Sequence, residues 1–198
     1  MVFEKLKSKG DVSDEAFDAL YPQRIQRISK IHFTPVEVVK VAAAFLVNKP
    51  GTRVLDIGAG AGKFCLIGAA CTTGFFTGVE QRLYLCQQAA LLSSTHGLIN
   101  TRFIHANILD VDFLEFDAVY LFNPFSENVF LNGAMDTKVL LDRSLYASYN
   151  QHTKTQLAKM PTGTRLATYF SFGDEIPEGY KVQSKDFDGK LKLWEKME

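Results

Sequence analysis

Three glycines, in the run Gly58-Ala59-Gly60-Ala61-Gly62, follow directly on the apolar segment Arg53 to Ile57, which carries a single acid, Asp56. Glycine has no Cβ, so such a loop turns sharply and lets a ligand approach the backbone closely. The loop also opens a helical pattern, and the free N–H groups and positive dipole end of a helix start suit a carboxylate or phosphate. Spacing removes two nucleotide chemistries. A P-loop needs glycine at Ile57 and a hydroxyl residue at Phe64, and the dinucleotide pattern GxGxxG needs glycine at Lys63.

Three further segments end in residues able to bind. The next apolar run closes at Gly78-Val79-Glu80, followed by Gln81, and a strand-end carboxylate about 20 residues past a glycine loop can accept hydrogen bonds from both hydroxyls of a ribose. A solvated strand-end acid is the alternative. The third run leads into His105-Ala106-Asn107-Ile108-Leu109-Asp110. There the Asn107 oxygen can accept from the amino group of a base, while the Ile108 N–H can donate to a ring nitrogen. The fourth, Phe116 to Phe122, ends in Asn123-Pro124-Phe125, at the edge where open α/β sheets place ligands. A plain strand-ending turn would use the same Asn and Pro.

The run Val54-Leu55-Asp56-Ile57-Gly58-Ala59-Gly60-Ala61-Gly62-Lys63-Phe64 resembles the first motif of class I S-adenosylmethionine-dependent methyltransferases, down to the acid at the strand end. The resemblance implies that Asp56, Gly58, Ala59, Gly60 and Gly62 surround the methionine part of S-adenosyl-L-methionine. It also implies that Glu80 and Gln81 meet the ribose, and that Asn107 and Ile108 fill the adenine slot where the family often carries Gly-Asp, with Asp110 as a substitute. Asn123-Pro124-Phe125 looks like the Asn/Asp-Pro-Pro-aromatic motif of amino methyltransferases with one proline missing. On that likeness Asn123 touches both cofactor and acceptor, the Pro124 carbonyl accepts from the target nitrogen, and Phe125 stacks on the substrate. Phe33-Thr34-Pro35, preceded by His32, is similar to the segment before the first motif of small seven-strand lysine methyltransferases, where it lies over the cofactor. His32 could act as a base near neutral pH or serve the local structure.

The implied reaction is methyl transfer to a nitrogen of a protein side chain, an RNA base or a small molecule. Transfer to oxygen or carbon, and a cofactor-binding module without catalysis, are the competing readings.

Positioning these residues requires a sheet. Strands are expected at Arg53 to Ile57, Phe75 to Glu80, Thr101 to Ala106, Phe116 to Phe122 and Arg165 to Phe172, with helices over Ala61 to Cys71, Gln81 to Thr95 and Lys138 to Lys159. That alternation implies an α/β, doubly wound and mostly parallel sheet with helices on both faces. Tyr180 to Ser184 and Lys190 to Glu195, joined around Asp188-Gly189, read as a C-terminal antiparallel hairpin and bring the sheet to seven strands. Before the first strand, Phe17, Leu20, Ile25 and Ile28 share a helical face broken at Pro22. Thr34-Pro35 reads as an N-cap with proline at the first helical position of a helix through Leu46. Residues 1–50 thus form an N-terminal helical cap on a core of 51–198, within one domain of 198 residues. The polar stretch Ser126 to Asp136, with Gly133, is long enough for a lid.

Acidic and basic residues balance at 22 each, so no global field favours a polyanion, and nucleic acid is a permitted partner without being indicated. The short basic groups Arg24, Arg27, Lys30 and Arg143, His152, Lys154, Lys159 suit either a solvated helix surface or an acidic partner. No run approaches the roughly 18 apolar residues of a membrane helix. The 3 cysteines, Cys65, Cys71 and Cys86, lie among apolar neighbours without metal-ligand spacing, which fits reduced thiols in the cytoplasm and no metal site.

Overall fold

The apolar runs assemble into one seven-stranded sheet in the computed structural model, which describes residues 1–130 and 134–198. The strands are β1 (Arg53–Ile57), β2 (Phe75–Glu80), β3 (Thr101–His105), β4 (Ala118–Phe122), β5 (Arg165–Tyr169), β6 (Tyr180–Asp186) and β7 (Leu191–Lys196), in the order β3-β2-β1-β4-β5-β7-β6. β1 to β5 are parallel, with Leu55 beside both Thr77 and Val119 and Phe122 beside Tyr169. β7 enters antiparallel to both β5 and β6, as the hairpin pattern requires.

The helices are α1 (Val2–Lys7), α2 (Asp14–Asp18), α3 (Gln23–His32), α4 (Val36–Leu46), α5 (Lys63–Cys71), α6 (Leu83–Thr95) and α7 (Arg143–Lys159). They divide between two faces. One core joins Phe3, Phe17, Ile25, Val39, Leu66 and Leu85 from the cap and α4 to α6, and the other joins Phe113, Tyr149 and Leu157 to Leu55, Val119 and Leu121. The connection after β1 therefore runs on one face and that after β4 on the other, which opens a crevice at the carboxyl edge between adjacent strands.

Several boundaries differ from the sequence reading, each for a local reason. α5 begins at Lys63 rather than Ala61 because Gly62 adopts φ +80°, and α6 begins at Leu83 because the Glu80 carboxylate accepts the Arg82 N–H at 2.8 Å. Thr34 is not the cap of α4. Its hydroxyl pairs with the Tyr120 hydroxyl at 2.7 Å, and Asp14, from another helix, accepts the Val36 N–H at 2.9 Å. α7 starts at Arg143, since Asp142 accepts the Ser144 N–H at 2.7 Å as its N-cap. β4 starts at Ala118, and β5 stops at Tyr169 because Phe170 turns to φ +52°. α1 was not anticipated. The lid expected over 126–136 includes Leu131, Asn132 and Gly133, which lie outside the described residues.

Candidate active site

A cavity of about 390 Å³ opens at the carboxyl edge of the sheet. Of the residues that the resemblance assigns to cofactor or acceptor, Gly58, Glu80, Gln81, Asn107, Ile108, Asn123, Pro124 and Phe125 line it. Asp56, Ala59, Gly60 and Gly62 do not border it, and the reason lies in what surrounds the glycines. A Cβ on Gly60 would meet the Phe33 ring at 2.8 Å, and one on Gly62 would meet Ala89 and Phe103 at 2.7 Å. At Gly58 a Cβ would meet the Pro124 side chain at 2.9 Å. The loop thus has to be glycine-rich to admit its own protein neighbours, and Gly58 is what lets the Asn123-Pro124-Phe125 turn close over the end of β1.

Glu80 is the best-defined group of the site. It is 4% exposed, and its Oε2 accepts the Gly60 N–H at 2.9 Å while Oε1 accepts the Arg82 N–H at 2.8 Å. Burial pushes its pKa up, opposed by those two hydrogen bonds and by the Arg82 charge. Each oxygen keeps a lone pair, so the pair can still receive two vicinal hydroxyls. Asp56 is 3% exposed and receives only the Cys65 thiol, at 3.4 Å. Burial, with no cation beside it, raises its pKa to about 7.

Asn107 lies at the cavity wall, where its Oδ1 caps a short turn by accepting the Leu109 N–H at 3.0 Å and its Nδ2 donates to the Tyr149 hydroxyl at 3.0 Å. One lone pair of Oδ1 is left for a ligand. Asn123 stands in the left-handed region at φ +38°, an uncommon conformation that concentrates at functional sites. Its carboxamide makes no hydrogen bond among the described residues. Phe125 faces the cavity, with its ring 5.2 Å from Tyr149 and tilted by 34°.

Sequence reasoning missed Arg82, Glu127 and Tyr149. The Arg82 guanidinium, 5% exposed, reaches Glu127 at 2.6 Å and Asp136 at 3.2 Å, and thereby fastens the segment after Phe125 beside the site. Burial opposes its charge, but Glu127, Asp136 and Glu80 outweigh that and raise its pKa. The proximity of Arg82 to Glu80 in sequence was the only available signal, since Glu127 and Asp136 are brought in by the fold. His32 lines the same cavity with Nδ1 4.0 Å from Glu127 Oε1. Burial lowers its pKa by more than Glu127 raises it, so the ring is neutral at neutral pH.

Other expectations fall elsewhere. His105 is exposed and pairs with the Gln81 carbonyl at 3.1 Å. Arg24, Arg27, Lys30, Arg143, Lys154 and Lys159 are exposed and border no part of the cavity. The cysteines are free, no group of potential metal ligands occurs among the described residues, and no described helix is long and apolar enough to cross a membrane.

The donor set suits S-adenosyl-L-methionine. Paired carboxylate oxygens at Glu80 match a ribose, while Ile57, Val79 and Ile108 offer apolar walls to an adenine beside the Asn107 acceptor. Residues 48–182, more than half of the chain, match the family model described as "Methyltransferase domain". No curated protein matches the sequence.

Solved structures share the fold. The cyclase SpnF superposes with a TM-score of 0.51 at 18% identity, over 67% of this chain and 43% of its own. TrmN from Thermus thermophilus gives 0.60 at 18% identity over 88% of this chain and 53% of its own. An RNA methyltransferase from Salinibacter ruber, solved with S-adenosyl-L-homocysteine, gives 0.50 at 17% identity over 90% and 94%. The chain spans about half the length of the first two. At such identities the superpositions establish architecture, and the family rests on the sequence match over 48–182. The chain belongs to the methyltransferase-domain family.

Proposed function

We propose that the enzyme, acting as one domain, transfers the methyl group to a nitrogen acceptor held by Asn123. The observation that carries the reading is the carboxamide of Asn123, which has no hydrogen-bond partner among the described residues and stands on a turn at φ +38° directly after β4. When bound, the cofactor supplies an electrophilic methyl group on a sulfonium. What the chain must add is alignment and exclusion of water, because in-line displacement depends on near-attack geometry.

Asn123 Oδ1 accepts a hydrogen bond from the acceptor N–H and so points the nitrogen lone pair away from the amide. The Pro124 carbonyl and the Phe125 ring bound the same place. His32, neutral and beside Glu127, is available to take the proton that a methylated amine must lose. Glu80 and Gln81 hold the ribose, Asn107 and Ile108 the adenine, and Gly58 borders the methionine end with Asp56 and the rest of the loop to Gly62 packed behind it. The free cysteines fit a reducing, cytoplasmic setting.

Asn123→Ala is expected to lower turnover by about 100-fold, the scale of a lost positioning contact, while calorimetry records the same affinity for S-adenosyl-L-homocysteine. Unchanged turnover would remove Asn123 from the reaction.

A further inference from the structure

Phe170 occupies a position that core packing does not explain. Asn123 and Phe170 each follow the last residue of adjacent parallel strands, since Phe122 is registered beside Tyr169. Both take left-handed backbone, φ +38° and φ +52°. For an aromatic residue that conformation is uncommon and persists only where the surroundings impose it. Here the Phe170 N–H donates to the Lys190 carbonyl at 3.0 Å, which ties the turn to the start of β7. The outcome is an aromatic ring standing at the mouth of the cavity, 47% exposed.

The ring is oriented as well as exposed. Tyr169 meets it edge-on at 4.7 Å and 73°, Phe122 lies nearly parallel at 6.0 Å and 30°, and the Lys190 ammonium stands 5.7 Å from its centroid. Ile31, 72% exposed, and Phe130, 59% exposed, reach the same mouth from α3 and from the segment after Phe125. Three apolar side chains from three separate elements thus converge in water around one opening, which is the signature of a ligand-binding rim.

Charge narrows the ligand. Among the described residues that line the cavity, Arg82 is the one permanent cation, and it is already matched by Glu127 at 2.6 Å and Asp136 at 3.2 Å. Glu80 and Glu127 present carboxylates to the same space. Because Glu127 and Arg82 answer each other and Lys190 at the rim stands 3.7 Å from Asp188, a phosphate entering there would face the Glu80 carboxylate without an unmatched cation among the described residues, an arrangement that repels it.

We infer that Phe170 is the platform on which the methyl acceptor lies, and that the acceptor is a planar ring without a phosphate group. The inference rests on the reading of this cavity as the methyl-acceptor site, but it concerns the face that holds the ring and not the atom that receives the methyl. Phe170 is a positioning residue that sets specificity; it takes no part in bond making.

The test uses the full chain with methyl-labelled S-adenosylmethionine and a low-molecular-mass cell extract split by anion exchange into phosphate-bearing and phosphate-free pools, with protein and RNA fractions alongside. Label in a planar ring of the phosphate-free pool is expected. With that acceptor purified, Phe170→Leu should raise KM about 10-fold, the size of a lost stacking contact, with kcat and S-adenosyl-L-homocysteine affinity within about 2-fold, and Phe170→Tyr should restore KM. Label confined to phosphorylated compounds, RNA, protein or aliphatic amines would overturn the inference, as would an unchanged KM in Phe170→Leu or no labelled product. A ring labelled on oxygen or carbon would support the platform while ending the nitrogen reading of Asn123. Loss of S-adenosyl-L-homocysteine binding by a folded Phe170→Leu, judged by its melting curve, would also overturn it, by placing the residue in the cofactor site.

Discussion

Asp56 is a carboxyl surrounded by protein, with one thiol as its hydrogen-bond partner and a pKa raised to about 7. Its unfolded value lies near 3.9, so the folded chain binds a proton there that the unfolded chain has released between about pH 4 and pH 7. Stability from this group is therefore intact below pH 4 and declines as pH rises toward 7, by an upper bound of roughly 4 kcal/mol. Asp56→Asn, which needs no ionisation, should melt higher than the parent at pH 8 and alike at pH 4. Parallel melting curves across that range would contradict the assignment. The sequence showed that an acid ends this strand. It did not show that the acid faces Cys65 instead of the cavity, because that depends on how β1 and α5 pack.

At the scale of elements, the cap is fastened to the glycine-loop helix by a buried lysine between two aspartates, of which Asp18 is buried and Asp14 is 42% exposed. Lys63, 3% exposed, reaches Asp14 at 2.7 Å and Asp18 at 2.8 Å. Asp14 also accepts the Val36 N–H, so one carboxylate joins α2, α4 and α5. Removing one partner of a buried pair leaves the other uncompensated, at a cost of about 3 kcal/mol. Lys63→Ala should lower the melting temperature and speed amide exchange in α2 and α3 more than in α7. Uniform exchange would show that the cap is held by its apolar contacts alone. Alternation of apolar runs was enough to locate the strands and most helices, whereas their first turns were misplaced wherever a distant side chain supplied the cap. Thr34 is the clearest case. It has the residue type of a cap, but its hydroxyl is engaged by Tyr120 and the capping carboxylate arrives from α2.

For the whole molecule, the order β3-β2-β1-β4-β5-β7-β6 places β1 and β4 side by side at the point where the connections change faces. Gly58, the strand-end acid Glu80, the Asn107 turn and the Asn123 turn all meet at this crevice, which is why four separated strand ends line one cavity. That convergence was legible because a doubly wound sheet leaves its strand ends on one edge. The rim of Ile31, Phe130 and Phe170 was not, since neither their exposure nor the left-handed turn at Phe170 leaves a trace in composition or periodicity. We propose that this crevice holds S-adenosylmethionine with Glu80 as its main polar contact. Calorimetric titration of the parent chain and Glu80→Ala with S-adenosyl-L-homocysteine, beside NAD, tests it most directly. One site per chain is expected, with no response to NAD, and Glu80→Ala should weaken binding by at least about 10-fold, as for a lost charge-assisted hydrogen bond. Equal affinity in the two proteins, or binding of NAD in preference, would contradict the account.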